Sequence, residues 1–352
     1  MRMNVYLTTA KRVIKYAYPT ILSLFENNKD SEIYLYLVSE DLEPVDIPYE
    51  LQLAAEYGNH IEILRFNEEM ARGRIVCADE KHWPLGTLAC YWLFHVLLPS
   101  DMDRIMAVES DTVVTGSLAE FYSTDLTGYY AACPDPDHKP ESHRKIMEKL
   151  DGDVLSFVVS VYDVDAIRRD FTLDDILNTD REAVKKIGAS QQELTFGMLF
   201  KGKIKFLPAN KLCIEENRQS MRNLGYDYLK SCEKDCRILH FSSYTDKGKP
   251  WNPVCIMPGF YEWWRYAKDC PYEKDYYLEQ WKSYDRRAAE VEKIKKNVTY
   301  RNVLLAALVL FVILLCVCVL CLRLPAWYLL GIPGLLGVSF GGALLLRKFL
   351  MR

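Results

Sequence analysis

"RIMAVESDTVVTGSL", Arg104 to Leu118, is the stretch on which the reading of this chain turns. Four apolar residues, Ile105 to Val108, run as a buried strand into Glu109-Ser110-Asp111, and β-branched residues follow at once. A carboxylate at the end of a buried strand is costly, and two like charges at i and i+2 repel. On a continuing strand both side chains would share a face and aim at one spot. Two explanations stand side by side. One is a solvated turn. The other is a hard divalent cation, which takes oxygen ligands from one or two carboxylates and completes its shell with phosphate and water.

The neighbouring segments supply a context. "NVYLTT" (4–9), "EIYLYLVSE" (32–40), "IEILRF" (61–66) and "RIMAVES" (104–110) read as strands, separated by helical stretches ending at Glu26, at Tyr57 and over about 86–98. Such alternation predicts an α/β domain with a mostly parallel sheet. Ligands bind beyond the carboxyl ends of those strands, which is where Glu109 and Asp111 fall. Further strands are expected over 154–164, 203–208 and 237–243. The last places His240 near a strand end, just before Lys247-Gly248-Lys249-Pro250-Trp251. A strand histidine is commonly a core residue, but a glycine-containing, lysine-rich loop after it also suits a diphosphate.

With 352 residues, half of them hydrophobic, the chain can bury a large core. A net charge of −4, with no basic stripe in the first 290 residues, argues against a nucleic-acid partner. Eleven cysteines form no paired CxxC framework, and Cys316, Cys318 and Cys321 lie in an apolar run, a pattern of reduced thiols. Cys232-x3-Cys236 reads as a metal pair or as structural thiols, and Asp135-Pro-Asp137-His138 as a second metal site or a polar loop. Tyr261, Trp263, Trp264 and Tyr266 would stack on sugar or dock a helix on the core. The lysines of 145–149 read as a solvated helix, and "MRMNVYLTTA" enters a strand without a signal-peptide pattern.

The C-terminal region differs. Val303–Leu322 is twenty residues without a charge, long enough to span a bilayer, and a second apolar run, Tyr328–Leu346, follows a short connection through Arg323. Lys293, Lys295, Lys296 and Arg301 precede this pair, and Arg347, Lys348 and Arg352 close it. The expectation is therefore a domain over 1–290, a basic linker over 291–302 and transmembrane helices over 303–322 and 327–346. The positive-inside rule places the large domain and the C-terminus in the cytoplasm of a multi-pass membrane protein, where Asn297-Val-Thr299 would not be glycosylated.

Taken together, "LLPSDMDRIMAVESDTVVTGSLAEFYSTDL", "KGKIKFLP", "ILHF", "KGKPWN" and "FYEWWRYAKDCPY" resemble, in that order, family 8 of the retaining glycosyltransferases, over residues 3 to about 275. The resemblance implies a Rossmann-like, GT-A type nucleotide-sugar-binding domain that uses Mn²⁺ or Mg²⁺. It places Glu109 and Asp111 in the family's D-x-D motif, makes His240 the third metal ligand and puts Lys249 on the diphosphate. It further implies that Gln192 and Glu193 are catalytic-site residues and that Thr8, Thr9, Ser156 and Trp251 contact the donor. The bound cation would act as a Lewis acid on the departing UDP.

The departures from that pattern are specific. Glu-Ser-Asp replaces Asp-x-Asp, and Thr9-Ala10-Lys11-Arg12 stands where the family has acidic and amide residues. An expected arginine falls on Tyr91 or Trp92, and Ser156-Phe157-Val158 replaces a polar stretch. Gln191-Gln192-Glu193 keeps the central glutamine and one acid of Asp-Gln-Asp. The function expected on this basis is a membrane-tethered enzyme moving a hexose from a UDP-sugar to an envelope glycan or lipid-linked acceptor. The alternative is an inactive relative that binds nucleotide or glycan, or scaffolds other proteins, at the membrane.

Overall fold

The structure is a computed structural model that describes residues 1–321 except 77–87, 136–144, 147, 150, 154, 216–224, 233–234, 243–247, 253–254 and 256. The chain divides into two units, Met1–Trp281 and Lys282–Arg352.

The first unit is built on a seven-stranded sheet: β1 (Arg2–Thr8), β2 (Glu32–Ser39), β3 (His60–Arg65), β4 (Arg104–Val108), β6 (Ala131–Pro134), β7 (Val159–Asp163) and β8 (Ile204–Leu207). Their order is β3-β2-β1-β4-β7-β6-β8, and only β7 runs against its neighbours. A smaller sheet joins β5 (Thr112–Val114), β10 (Ile238–His240) and β9 (Cys213–Glu215) in that order. The expected α/β domain with a mostly parallel sheet is what forms.

Period-two alternation assigns the strand faces. Met3, Val5 and Leu7 of β1 pack with Ile14, Ile21 and Phe25 of helix α1 (Ile14–Glu26). Tyr6 points the other way, into a cluster with Trp92, Phe94 and Phe196. Both faces are thus covered, as a parallel sheet requires. Helices α2 (Pro48–Tyr57), α3 (Leu173–Ile187), α4 (Gln192–Leu199) and α5 (Phe260–Ala267) complete the layers used below. In α1, Pro19 has no N–H to offer the carbonyl of Lys15, and the buried Tyr276 hydroxyl donates to that oxygen instead.

Several expected boundaries change. Strand β4 stops at Val108, so Glu109-Ser110-Asp111 is a turn between two sheets and not a continuing strand. The strand expected over 154–164 is only Val159–Asp163; just before it, the Val158 carbonyl accepts the Glu109 N–H at 3.0 Å. Within the helix expected over 86–98, Cys90–Trp92 is α-helical and Leu93–Leu97 widens to a π turn before Pro99.

The expected membrane placement is corrected. Among the described residues no helix is long and apolar enough to cross a membrane. Residues 303–321 continue helix α6 (Glu273–Cys321), whose preceding turns carry Glu290, Glu292, Lys293, Lys295, Lys296 and Arg301. The second expected span, 327–346, lies outside the described residues. This overturns the two-span placement with a cytoplasmic domain.

Candidate functional site

The turn after β4 is held from several sides. The hydroxyl of Thr20, on α1, donates to the carbonyls of Ser110 (2.9 Å) and Thr112 (2.7 Å). Thr112 Oγ1 donates to the Glu109 carbonyl at 2.8 Å. Strand β10 pairs antiparallel with β5, setting His240 opposite Thr112, and the Phe241 N–H donates to the Asp111 carbonyl at 3.0 Å. Residues over a hundred positions apart in the chain therefore meet at one point.

At that point His240 Nε2 lies 3.0 Å from Glu109 Oε2 and 3.4 Å from Asp111 Oδ1. The ligand-type atoms of the three residues all fall within 4.8 Å of one another. The Lys249 ammonium pairs with the other Asp111 oxygen and donates to the Phe241 carbonyl at 3.0 Å. His240 and Asp111 are largely enclosed, whereas Glu109 is the more open at 37% side-chain exposure, the side from which a ligand can enter. Among the described residues Nδ1 of His240 is buried without a hydrogen-bond partner, and Nε2 is the nitrogen presented to the carboxylates.

The electrostatics follow from this packing. Burial alone would lower His240, but Asp111 and Glu109 override it and raise the imidazole to about 10. Burial pushes Asp111 up, yet Lys249 and His240 outweigh it and hold its carboxyl well below the usual range. A proton on Nε2 thus occupies the position between the carboxylates. A divalent cation replacing it would gain two carboxylate oxygens and one imidazole nitrogen, a donor set within the reach of Mn²⁺ or Mg²⁺. The residues fit a metal ion.

The segment after His240 is fixed by aromatic contacts. Trp251 stacks on Tyr16 of α1 with centroids 4.4 Å apart, and Lys249 Nζ lies 5.9 Å from the Trp251 ring centroid. Trp264 Nε1 donates to the Pro250 carbonyl at 2.9 Å. Trp263 and Tyr266 are buried, so the tryptophan pair of α5 chiefly docks that helix on the core. Cys236 is likewise a buried thiol, donating to the Ile238 carbonyl, and residues 136–138 of the segment read as a second metal site or a polar loop lie outside the described residues.

The remaining expected residues fall in two groups. Tyr6 pairs with Ala107, so Thr8 ends β1 at the level of Glu109, in the turn just past β4. Thr9 follows, its hydroxyl buried without a partner among the described residues. Ser156 is buried two residues before Val158, whose carbonyl holds Glu109. Gln192 and Glu193 open a different element, the first turn of α4, where Gln192 Oε1 accepts from Cys90 Sγ at 3.4 Å. Sequence reasoning missed Thr20 and Tyr16. Nothing in their local pattern marks them, because their role arises only where α1 crosses the β4–β5 turn.

Comparison with known proteins agrees with this architecture. The family model described as "Glycosyl transferase family 8" matches residues 4–255. The chain is 22% identical over 296 residues to a lipopolysaccharide 1,2-glucosyltransferase of Escherichia coli, covering 81% of this chain and 80% of that one. The fold is similar to a crystal structure of the galactosyltransferase LgtC with donor and acceptor sugar analogues, at a TM-score of 0.61 and 17% identity, over 76% of this chain and 96% of that one. It is also similar to the apo bifunctional glycosyltransferase WbbM, at a TM-score of 0.62 and 14% identity, over 79% of this chain and 52% of that one.

Proposed function

The chain belongs to glycosyltransferase family 8, and from that premise, as a glycosyltransferase, we propose that it moves a hexose from a UDP-sugar to a glycan or lipid-linked acceptor of the cell envelope, with retention at the anomeric carbon. The observation that carries this reading is the convergence of Glu109, Asp111, His240 and Lys249 at the carboxyl end of β4. The similarity to a lipopolysaccharide glucosyltransferase supports an envelope acceptor.

Glu109, Asp111 and His240 would hold Mn²⁺ or Mg²⁺, which supplies Lewis acidity at the donor diphosphate. Lys249 adds an ammonium beside them. If a cation held Asp111, that ammonium, anchored by its bond to the Phe241 carbonyl, would serve a phosphate oxygen. Thr8 and Thr9, at the end of β1, would contact the nucleotide side of the donor, and Trp251, braced by Tyr16, would wall the diphosphate loop. Ser156, Gln192 and Glu193 would line the sugar pocket, with Gln192 and Glu193 nearest the reacting carbon. Val158 is apolar and offers the sugar no side-chain hydrogen bond, so donor hydroxyls there must be met by other groups.

Calorimetry of the full chain with UDP, UDP-glucose and UDP-galactose, with Mn²⁺ or with chelator, tests the reading. Metal-dependent binding of UDP and at least one UDP-sugar is expected. Equal binding in chelator would remove the metal from the mechanism, and no binding of any UDP compound would end the donor assignment.

A further inference from the structure

Beneath the first turn of α4 lies a carboxylate that the reaction as described does not use. Asp180, on α3, is 1% exposed. Its Oδ1 accepts the Tyr91 hydroxyl at 2.8 Å and the Thr195 hydroxyl at 3.1 Å, and its Oδ2 accepts the Ser190 hydroxyl at 2.6 Å. A buried carboxylate held by neutral hydroxyls gains little over an apolar residue of similar size as a source of stability. What it provides is convergence, since three groups from separate segments must all point at one pair of oxygens.

Those segments frame Gln192. Ser190 lies two residues before it and Thr195 three residues after it, so one carboxylate pins both ends of the turn that displays the glutamine. Gly188, at φ +88°, ends α3 and reverses the chain into that turn. Tyr91 closes the arrangement from the other side. Its neighbour Cys90, kept as a thiol by burial, donates to Gln192 Oε1 at 3.4 Å. Tyr91, Asp180, Thr195, Gln192 and Cys90 thus form a closed ring that fixes where the carboxamide sits and which way it faces.

We propose that Asp180 is a positioning residue for Gln192: by gathering the hydroxyls of Tyr91, Ser190 and Thr195 it sets the orientation of the Gln192 carboxamide in the sugar pocket. This rests on the reading of Gln192 as a donor-pocket residue given above. A glutamine displaced by a fraction of an ångström loses its effect on the reacting centre but leaves the nucleotide site, built on β4 and β10, intact.

The test uses the full chain with Mn²⁺, hydrolysis of UDP-glucose and UDP-galactose, calorimetric UDP affinity and a melting curve. Tyr91→Phe removes one arm of the ring and should lower kcat about tenfold, with KM for the donor and UDP affinity unchanged within about twofold. Asp180→Leu should lower kcat by about a hundredfold, whereas Asp180→Asn keeps an oxygen for Tyr91 and Thr195 and should recover most of it. Should Asp180→Leu fail to fold, Tyr91→Phe and Asp180→Asn carry the comparison. Unchanged kcat in Tyr91→Phe overturns the proposal, as does a kcat loss matched by an equal loss of UDP affinity, which marks a structural role only. If the unsubstituted protein binds UDP but turns over neither sugar nucleotide, the donor reading itself fails and takes this proposal with it.

Discussion

Replacing Glu50 by glutamine should make the protein more stable at neutral pH and change little in acid. Glu50, in the first turn of α2, is fully buried. Its Oε2 accepts the Tyr272 hydroxyl at 3.3 Å, while Oε1 is buried without a partner among the described residues. Burial is the main cause that raises its pKa from 4.5 to about 7, and hydrogen bonds from its own backbone and from Tyr272 oppose the shift only in part. Below the unfolded value both states carry the proton and the site costs nothing. As pH rises the unfolded chain ionises first, so the contribution of the neutral carboxyl to stability declines and is gone once pH passes the folded value. A rise of that size corresponds to about 3 kcal/mol. Glu50→Gln has no proton to lose, so its stability advantage should widen by that amount between about pH 4.5 and 8, a melting-temperature gap growing by roughly 5–10 °C for a domain of this size. Scanning calorimetry of both proteins at pH 5, 6, 7 and 8 measures it, because every other titrating group is shared and cancels. Parallel stability curves would refute the reasoning, since they would mean that Glu50 ionises in the folded protein as freely as in water.

Asp111→Asn and His240→Ala should each weaken Mn²⁺-dependent UDP binding by about ten- to a hundredfold in calorimetry, through loss of one metal donor, without abolishing the cooperative melt. Glu109→Asp shortens the most open ligand by one methylene and should leave metal-dependent binding within about tenfold of the unsubstituted protein; complete loss would show that the longer arm is needed to reach the cation. Tyr276→Phe leaves the Lys15 carbonyl, already without a helical donor because of Pro19, unsatisfied in a buried place. A loss of about 1–2 kcal/mol in denaturant unfolding is expected, with UDP affinity unchanged.

Much of the fold could be read in advance because the signals are local. Alternating apolar residues in β1, β2 and β4 and the helices between them depend on neighbours one to four positions away, and they announced the α/β domain. The acidic pair could be recognised as chemically demanding because Glu109 and Asp111 are close in sequence and follow an apolar run. The C-terminal apolar run was local too, but hydropathy alone did not decide its structure: 303–321 continues a helix with charged turns before it.

What only tertiary structure decided is which distant groups answer those local demands. The hold on the Glu109 N–H just past β4 depends on the Val158 carbonyl, and the shape of the acidic turn on Thr20, ninety residues before Ser110. The partnership of His240 with Glu109 and Asp111 depends on the antiparallel register of β10 against β5, and that of Tyr91 with Asp180 on the packing of α3 beneath α4. Hydrogen bonds and ion pairs act over about 3 Å whatever the separation along the chain, and a residue's type states its need for a partner without naming it. The sequence therefore determined that Glu109 and Asp111 required compensation, and the fold decided that His240 and Lys249 supply it.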